Sequence, residues 1–201
     1  EVLAEGLTRN LPAFARFFDT LAYSHGELTN YANIARDCGV DAKTVREYYQ
    51  ILCDTLLGTL VEPYARRQDR SVLTKVPKFY LVDVGLAGLL ARRRVLAEGG
   101  EGFGRAFEHF IFNELNAWKG YAASDLPLRY WRTKSGQEVD FVLGAGETAI
   151  EVKGGRLGSR DLKGLEAFVE SYRPKRAFVV CTERTRRQVG RITVLPWREF
   201  G

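Results

Sequence analysis

Two carboxylates and an amine stand at a spacing suited to phosphate chemistry. Asp140 lies in the run EVDFVL, and Glu151 and Lys153 lie in AIEVKGG. Alternation along an extended strand sends Glu151 and Lys153 to one face, and Ile150 and Val152 to the other. The turn residues Gly144, Ala145 and Gly146 separate the two runs, so pairing across that turn brings Asp140 toward Glu151 and Lys153. Desolvating such a cluster is unfavourable unless something offsets it, and a divalent cation does so. Mg²⁺ takes one or two carboxylates from a protein and keeps waters for chemistry, so Mg²⁺ or Mn²⁺ is the candidate cofactor. The reaction that such a site supports is phosphodiester hydrolysis: the ion lowers the pKa of a bound water and stabilises charge on the phosphate. Lys153 would orient the water or balance transition-state charge. The plainer reading of the same residues is a solvated ion pair between Glu151 and Lys153 with no metal.

The elements that must position these residues can be read from periodicity. LRYWRT, EVDFVL and TAIEVK read as strands separated by turns at Ser135-Gly136 and at Gly144–Gly146. A helix is expected over 104–118 before them, and SRDLKGLEAFVESY follows as an amphipathic helix with Ser159 as its cap. KRAFVVCT is then a buried strand and RITVLPW a short last one. Gly144, Gly146 and Ala149 spell GxGxxA, but a strand follows rather than a helix, which rejects dinucleotide binding.

Upstream the period is helical. Leu11, Phe14, Phe17, Phe18 and Leu21 form one apolar stripe. Asn30 caps a short helix that Gly39 ends, and Asp41 caps a longer one carrying Val45, Tyr48, Leu52 and Leu56. Helix, Gly-containing turn, longer helix is a helix-turn-helix pattern. TLVEPY and KFYLVD then read as a hairpin, a wing, with Arg66, Arg67 and Arg70 near its tip as phosphate contacts. Lys43 and Arg46 face outward on the longer helix, and so do Glu47 and Asp54, which would repel a phosphate backbone. Arg132, beside Trp131, is a further nucleic-acid candidate; the tryptophan could stack on a base or simply pack. The Gly- and charge-rich stretch ARRRVLAEGGEGFG marks the boundary, dividing the chain into domains at 1–98 and 99–201.

Composition narrows the class. Hydrophobic residues are 45% and charged residues 27% of 201, an ordinary globular balance. No apolar run approaches the length that spans a bilayer, and none resembles a signal peptide, so no membrane partner is expected. Cys38, Cys53 and Cys181 are widely spaced without a CxxC, which suits buried free thiols in a reducing cytosol. The sequence contains no Met and reads as a piece of a longer protein. Residues 151–201 hold 12 Lys and Arg against 6 Asp and Glu, while residues 1–150 hold 18 against 19. The basic excess therefore lies in the last quarter, which fits a surface that meets polyanions and equally a plain solvated basic face.

Asp140 followed after ten residues by Glu151-Val152-Lys153 resembles the core motif of the PD-(D/E)xK nuclease superfamily. More narrowly, FEHFIFNEL, YWRTKSGQEVDFVL and AIEVKGG, in that order, resemble the C-terminal domain of a large family of bacterial and archaeal AAA-type ATPases. TNYANIARDCGVDAKTVREYYQIL resembles the winged-helix part of the same family. The resemblance implies an α/β (α+β) chain, a winged helix-turn-helix followed by a restriction-endonuclease-like mixed sheet flanked by helices. It implies an upstream P-loop ATPase domain as partner and ATP bound only there, since no G-x-x-x-x-G-K-[ST] occurs in this chain. It also adds Glu108, on the helix before the first core strand, to Asp140 and Glu151 as a metal ligand. Glu114 matches a second acidic position, on a different helical face. One departure is Val139, which stands where the superfamily carries proline. Two functions follow as expectations: a divalent-metal-dependent DNA phosphodiester hydrolase attached to an ATPase, or a non-catalytic module of that shape which binds nucleic acid or protein.

Overall fold

In a computed structural model of the chain, which describes residues 10–66, 69, 71–72, 75–92, 97–100, 102–158 and 160–200, four helices begin by the same device. Asn10, Asn30, Asp41 and Asp83 each accept a hydrogen bond from the backbone N–H three residues on, meeting a donor that the first turn leaves open. These caps start α1 (Leu11–Ser24), α2 (Tyr31–Cys38), α3 (Ala42–Asp54) and α4 (Val84–Leu90). Gly39, at φ 68°, ends α2 in the left-handed region, where a side chain would be strained. The caps at Asn30 and Asp41 stand where the sequence puts them; α4 lacks a period long enough to announce itself.

The chain divides into two compact units. The first holds α1–α4 and a two-stranded sheet of β1 (Gly58–Val61) and β2 (Lys78–Leu81). Its core is aromatic: Phe14, Phe17, Tyr48, Tyr49 and Phe79 are buried together with Leu21, Val45 and Leu52, and Phe17 meets Tyr49 edge-on at 4.9 Å. Gly58 is there because a Cβ would strike the Phe79 ring and lie 2.6 Å from the Tyr80 carbonyl oxygen.

Among the described residues, the second unit is a six-stranded mixed sheet of order β3-β4-β5-β6-β8-β7 with two α-helices. Its elements are α5 (Phe103–Tyr121), β3 (Leu128–Arg132), β4 (Glu138–Leu143), β5 (Thr148–Lys153), α6 (Lys163–Tyr172), β6 (Arg176–Cys181), β7 (Arg187–Val189) and β8 (Ile192–Pro196). β3, β4 and β5 form the expected antiparallel meander; β5, β6 and β8 run parallel. A parallel β5–β6 pair needs a crossover, which α6 supplies. Leu165, Phe168 and Val169 of α6 pack on Val139, Val142, Ala149 and Val179 of the sheet. The chain is thus a mixed α+β protein. Ser159, expected to cap α6, lies outside the described residues.

One segment packs away from the elements beside it in sequence. Residues 61–75 group with the second unit rather than the first. Tyr64 and Tyr130 exchange backbone contact (Tyr64 N–H donates to Tyr130 O at 2.6 Å), and Tyr130 N–H donates to Glu62 O at 3.1 Å. The segment thereby extends the sheet at the β3 edge. A polar hairpin tip was expected over this stretch. Instead Tyr64 and Val72 are buried with Trp131 and Phe168, because the open edge of β3 and the aromatic surface of α6 offer partners that solvent does not.

Candidate functional site at the divergence of β4 and β5

The β4–β5 ladder runs Leu143↔Thr148, Val142↔Ala149, Phe141↔Ile150 and then ends. On its other side β5 stays paired with β6 through Glu151↔Val179, Val152↔Val180 and Lys153↔Cys181. β4 departs because it is bulged: the register against β3 passes from Arg129↔Val142 to Trp131↔Val139, leaving Asp140 and Phe141 opposite Tyr130. The bulge explains why Val139 and Val142 enter the same apolar cluster, which strict alternation forbids. Bulges re-aim a side chain and end local pairing. Here the Asp140 carboxylate takes over from the ladder, its Oδ2 accepting the Val152 N–H at 2.8 Å.

Two glycines hold the helices against this opening. A Cβ on Gly164 of α6 would meet the Glu138 backbone, with its nitrogen at 3.0 Å. A Cβ on Gly154, just past β5, would lie 2.9 Å from the Phe103 ring and 3.2 Å from Gly104 at the start of α5.

Asp140 and Glu151 are 8% and 6% exposed, an unusual burial for carboxylates. Lys153 Nζ lies 2.7 Å from Glu151 Oε1. Glu151 Oε2 is buried and has no hydrogen-bond partner among the described residues. Burial pushes the Glu151 carboxyl up to about 7; Lys153 opposes the shift, while the charges of Glu138 and Glu108 add to it. Burial pulls the Lys153 ammonium down, but Glu151, Asp140 and Asp161 hold it above the ordinary lysine value. The lysine therefore stays charged, and Glu151 sits poised between its two forms near neutral pH. One ammonium does not outweigh desolvation and two further carboxylates.

The structure brings together Asp140, Glu151, Lys153 and the field of Glu108, and sets Glu114 apart. Glu114 is exposed and lines a different cleft with Trp118, Ile150 and Arg176. His109 is buried at 1% exposure beside the Phe112 ring, which makes it a core residue. Among the described residues, no three His, Cys, Asp or Glu side chains lie close enough to hold a metal ion by themselves. A divalent ion at this opening would rest on Asp140 and Glu151, with water or substrate oxygens completing its shell. That donor set suits Mg²⁺, and the unpartnered Glu151 oxygen fits it.

The nucleic-acid candidates are scattered. Arg132 is half-buried and donates to Glu138 Oε2 at 2.8 Å. Trp131 is buried, its Nε1 donating to Tyr172 Oη at 3.1 Å, so of its two readings packing is the one observed. The Arg66 guanidinium lies 5.0 Å from the Tyr172 ring centroid and donates to the Tyr172 carbonyl at 3.1 Å. It packs on α6 instead of standing at a wing tip. Arg67 and Arg70 lie outside the described residues. On α3, Lys43 is 3.8 Å from Glu47, and Arg46 covers the Tyr31 ring at 4.8 Å. Sequence reasoning missed a cluster in the second unit: Arg156, Arg184 and Arg187 line an open cleft of about 800 Å³. Its signal was the charge excess after residue 150.

Comparison with known proteins divides the chain between residues 96 and 103. Residues 103–200 match a domain of unknown function (DUF4143), and residues 1–96 match another (DUF8612). Similar proteins include the uncharacterized protein Mb2031c of Mycobacterium bovis and the uncharacterized protein Rv2008c of Mycobacterium tuberculosis. Each is 33% identical over 131 residues, covering 62% of this chain. The chain spans 28% of the length of these relatives. No solved structure gives a significant match. No helix among the described residues is long and apolar enough to cross a membrane.

Proposed function

We propose that the second unit is a PD-(D/E)xK nuclease-like module that hydrolyses phosphodiester bonds in nucleic acid, most naturally DNA. In this reading the first unit is a winged helix, and both work attached to an AAA-type ATPase domain. The observation that carries the proposal is the buried, unpartnered Glu151 oxygen beside Asp140 and Lys153, where β4 and β5 diverge. Pairing with Lys153 alone, on the same strand, leaves that buried acceptor unsatisfied, which is uncommon for a buried polar atom.

Asp140 and Glu151 would hold Mg²⁺ or Mn²⁺, with Glu108 near enough to shape the field. The ion would supply an acidified water and charge stabilisation at the phosphate. Lys153, kept protonated by its carboxylate neighbours, donates hydrogen bonds to a phosphate oxygen or to the attacking water. Val152 N–H anchors Asp140, fixing one ligand before substrate arrives. The test is cleavage of labelled plasmid and oligonucleotide DNA in Mg²⁺ or Mn²⁺. Wild type is expected to cut, and Asp140→Asn and Lys153→Ala to lose at least about a hundredfold in rate, the scale of one lost charge-stabilising group. Equal cutting by the variants would sink the assignment.

A second reading rests on Lys153 sitting against Glu151 at 2.7 Å. There the ammonium takes the cation's place permanently, and the module only binds nucleic acid or a protein. It expects no divalent-ion uptake at any pH.

A further inference from the structure

We propose that the cleft at the carboxyl ends of β5 and β6 binds the phosphodiester backbone of a nucleic acid, leading it to the Asp140–Glu151–Lys153 cluster. The inference deepens the hydrolase reading and rests on it for the choice of ligand. Lys153 and Cys181 are paired neighbours at the ends of two parallel strands. The cleft opens immediately beyond them, lined by Arg156 after β5 and by Thr182, Glu183, Arg184, Thr185 and Arg187 after β6. In open sheets of this kind, ligands collect outside the carboxyl ends of the parallel strands.

The lining fits phosphate. Three guanidinium groups face one carboxylate, and two threonines add hydroxyl donors. Guanidinium forks match phosphate oxygens in pairs. Glu183 shows that the cleft cradles an anion: its carboxylate accepts from the Leu157 N–H at 3.1 Å and from Arg187 Nε at 3.2 Å. The same donors, with Arg156, hold that carboxyl below the usual range. Arg156 and Arg184 have exposed side chains, so the cleft keeps positive charge after Glu183 is satisfied. An acidic peptide shares the charge. A strand of phosphodiesters is favoured because the lining residues follow directly on the strand ends where Lys153 and Cys181 are paired, so Lys153 of the cluster lies three residues before Arg156.

The test is fluorescence anisotropy of a short fluorescein-labelled DNA oligonucleotide, single-stranded and duplex, with the full chain in EDTA. Removing metal separates this question from catalysis. Arg156→Gln, Arg184→Gln and Arg187→Gln are each expected to weaken binding about threefold and the triple variant about thirtyfold, with unchanged circular dichroism. The slope of log affinity against log salt should fall by roughly 0.7–0.9 for each arginine lost. Glu114→Gln, at a different cleft, should bind as wild type does, and because the assay holds no metal a failed hydrolase reading leaves this result standing. An unchanged affinity and salt slope in the triple variant would overturn the proposal. So would absence of wild-type binding at low salt, or polyglutamate bound as tightly as the oligonucleotide.

Discussion

Glu151 combines deep burial, one ammonium partner and one orphaned oxygen, and that combination makes its protonation state sensitive to its surroundings. Its carboxyl titrates near 7 in the folded chain, above the ordinary 4.5. The folded state therefore binds a proton that the unfolded state releases, so this residue's contribution to stability is full below about 4.5 and is lost as pH rises through about 7. Urea denaturation between pH 5 and 8 should show Glu151→Gln flattening that decline; a variant with the wild-type slope would place the titration elsewhere. Asp140 gives a different test because it satisfies the Val152 N–H. Asp140→Ala should lose roughly 1–3 kcal/mol, the cost of a stranded buried donor. Asp140→Asn keeps an acceptor and should lose less by the same assay.

At the scale of elements, the opening depends on a bulge, a ladder that stops early and two close helix contacts. Strand alternation in EVDFVL and AIEVKGG was legible, and it placed Asp140, Glu151 and Lys153 on adjacent antiparallel strands. What alternation could not give was the extra residue at Asp140–Phe141, since a bulge is decided by packing on both faces of β4 at once. Glu108 was reachable only through family resemblance; helical period alone left many polar positions on α5 equivalent. Gly164 carries a prediction of its own. Gly164→Ala should destabilise the chain by roughly 1–3 kcal/mol through overpacking against the Glu138 backbone. Measured by thermal melting, a neutral result would mean that α6 does not pin the start of β4.

For the whole molecule, the helices of the first unit and the strands of the second were readable from period and caps, and the docking of the segment after β1 was not. Composition placed the boundary in the Gly-rich stretch near 99, because local turn signals mark where elements stop and not what they dock against. Residues 61–75 dock by long-range aromatic and backbone contacts: Tyr64 in the core, Tyr172 Oη donating to Asp69 at 2.6 Å, and the added pairing at Tyr130. A fragment of residues 99–201 should therefore melt well below the second unit of the full chain, or fail to fold. Limited proteolysis and circular dichroism would check this, and a fragment as resistant as the full chain would show the docked segment to be dispensable.

The central claim is that Asp140 and Glu151 hold a divalent ion, and isothermal titration of Mn²⁺ into wild type, Asp140→Asn and Glu151→Gln tests it most directly. Because the ion must displace the Glu151 proton, wild-type affinity is expected to rise between pH 6 and pH 8, with proton release, while neither variant binds. Wild-type heat that is absent at both pH values, or equal in all three proteins, would contradict the claim and leave Lys153 as the permanent partner of Glu151.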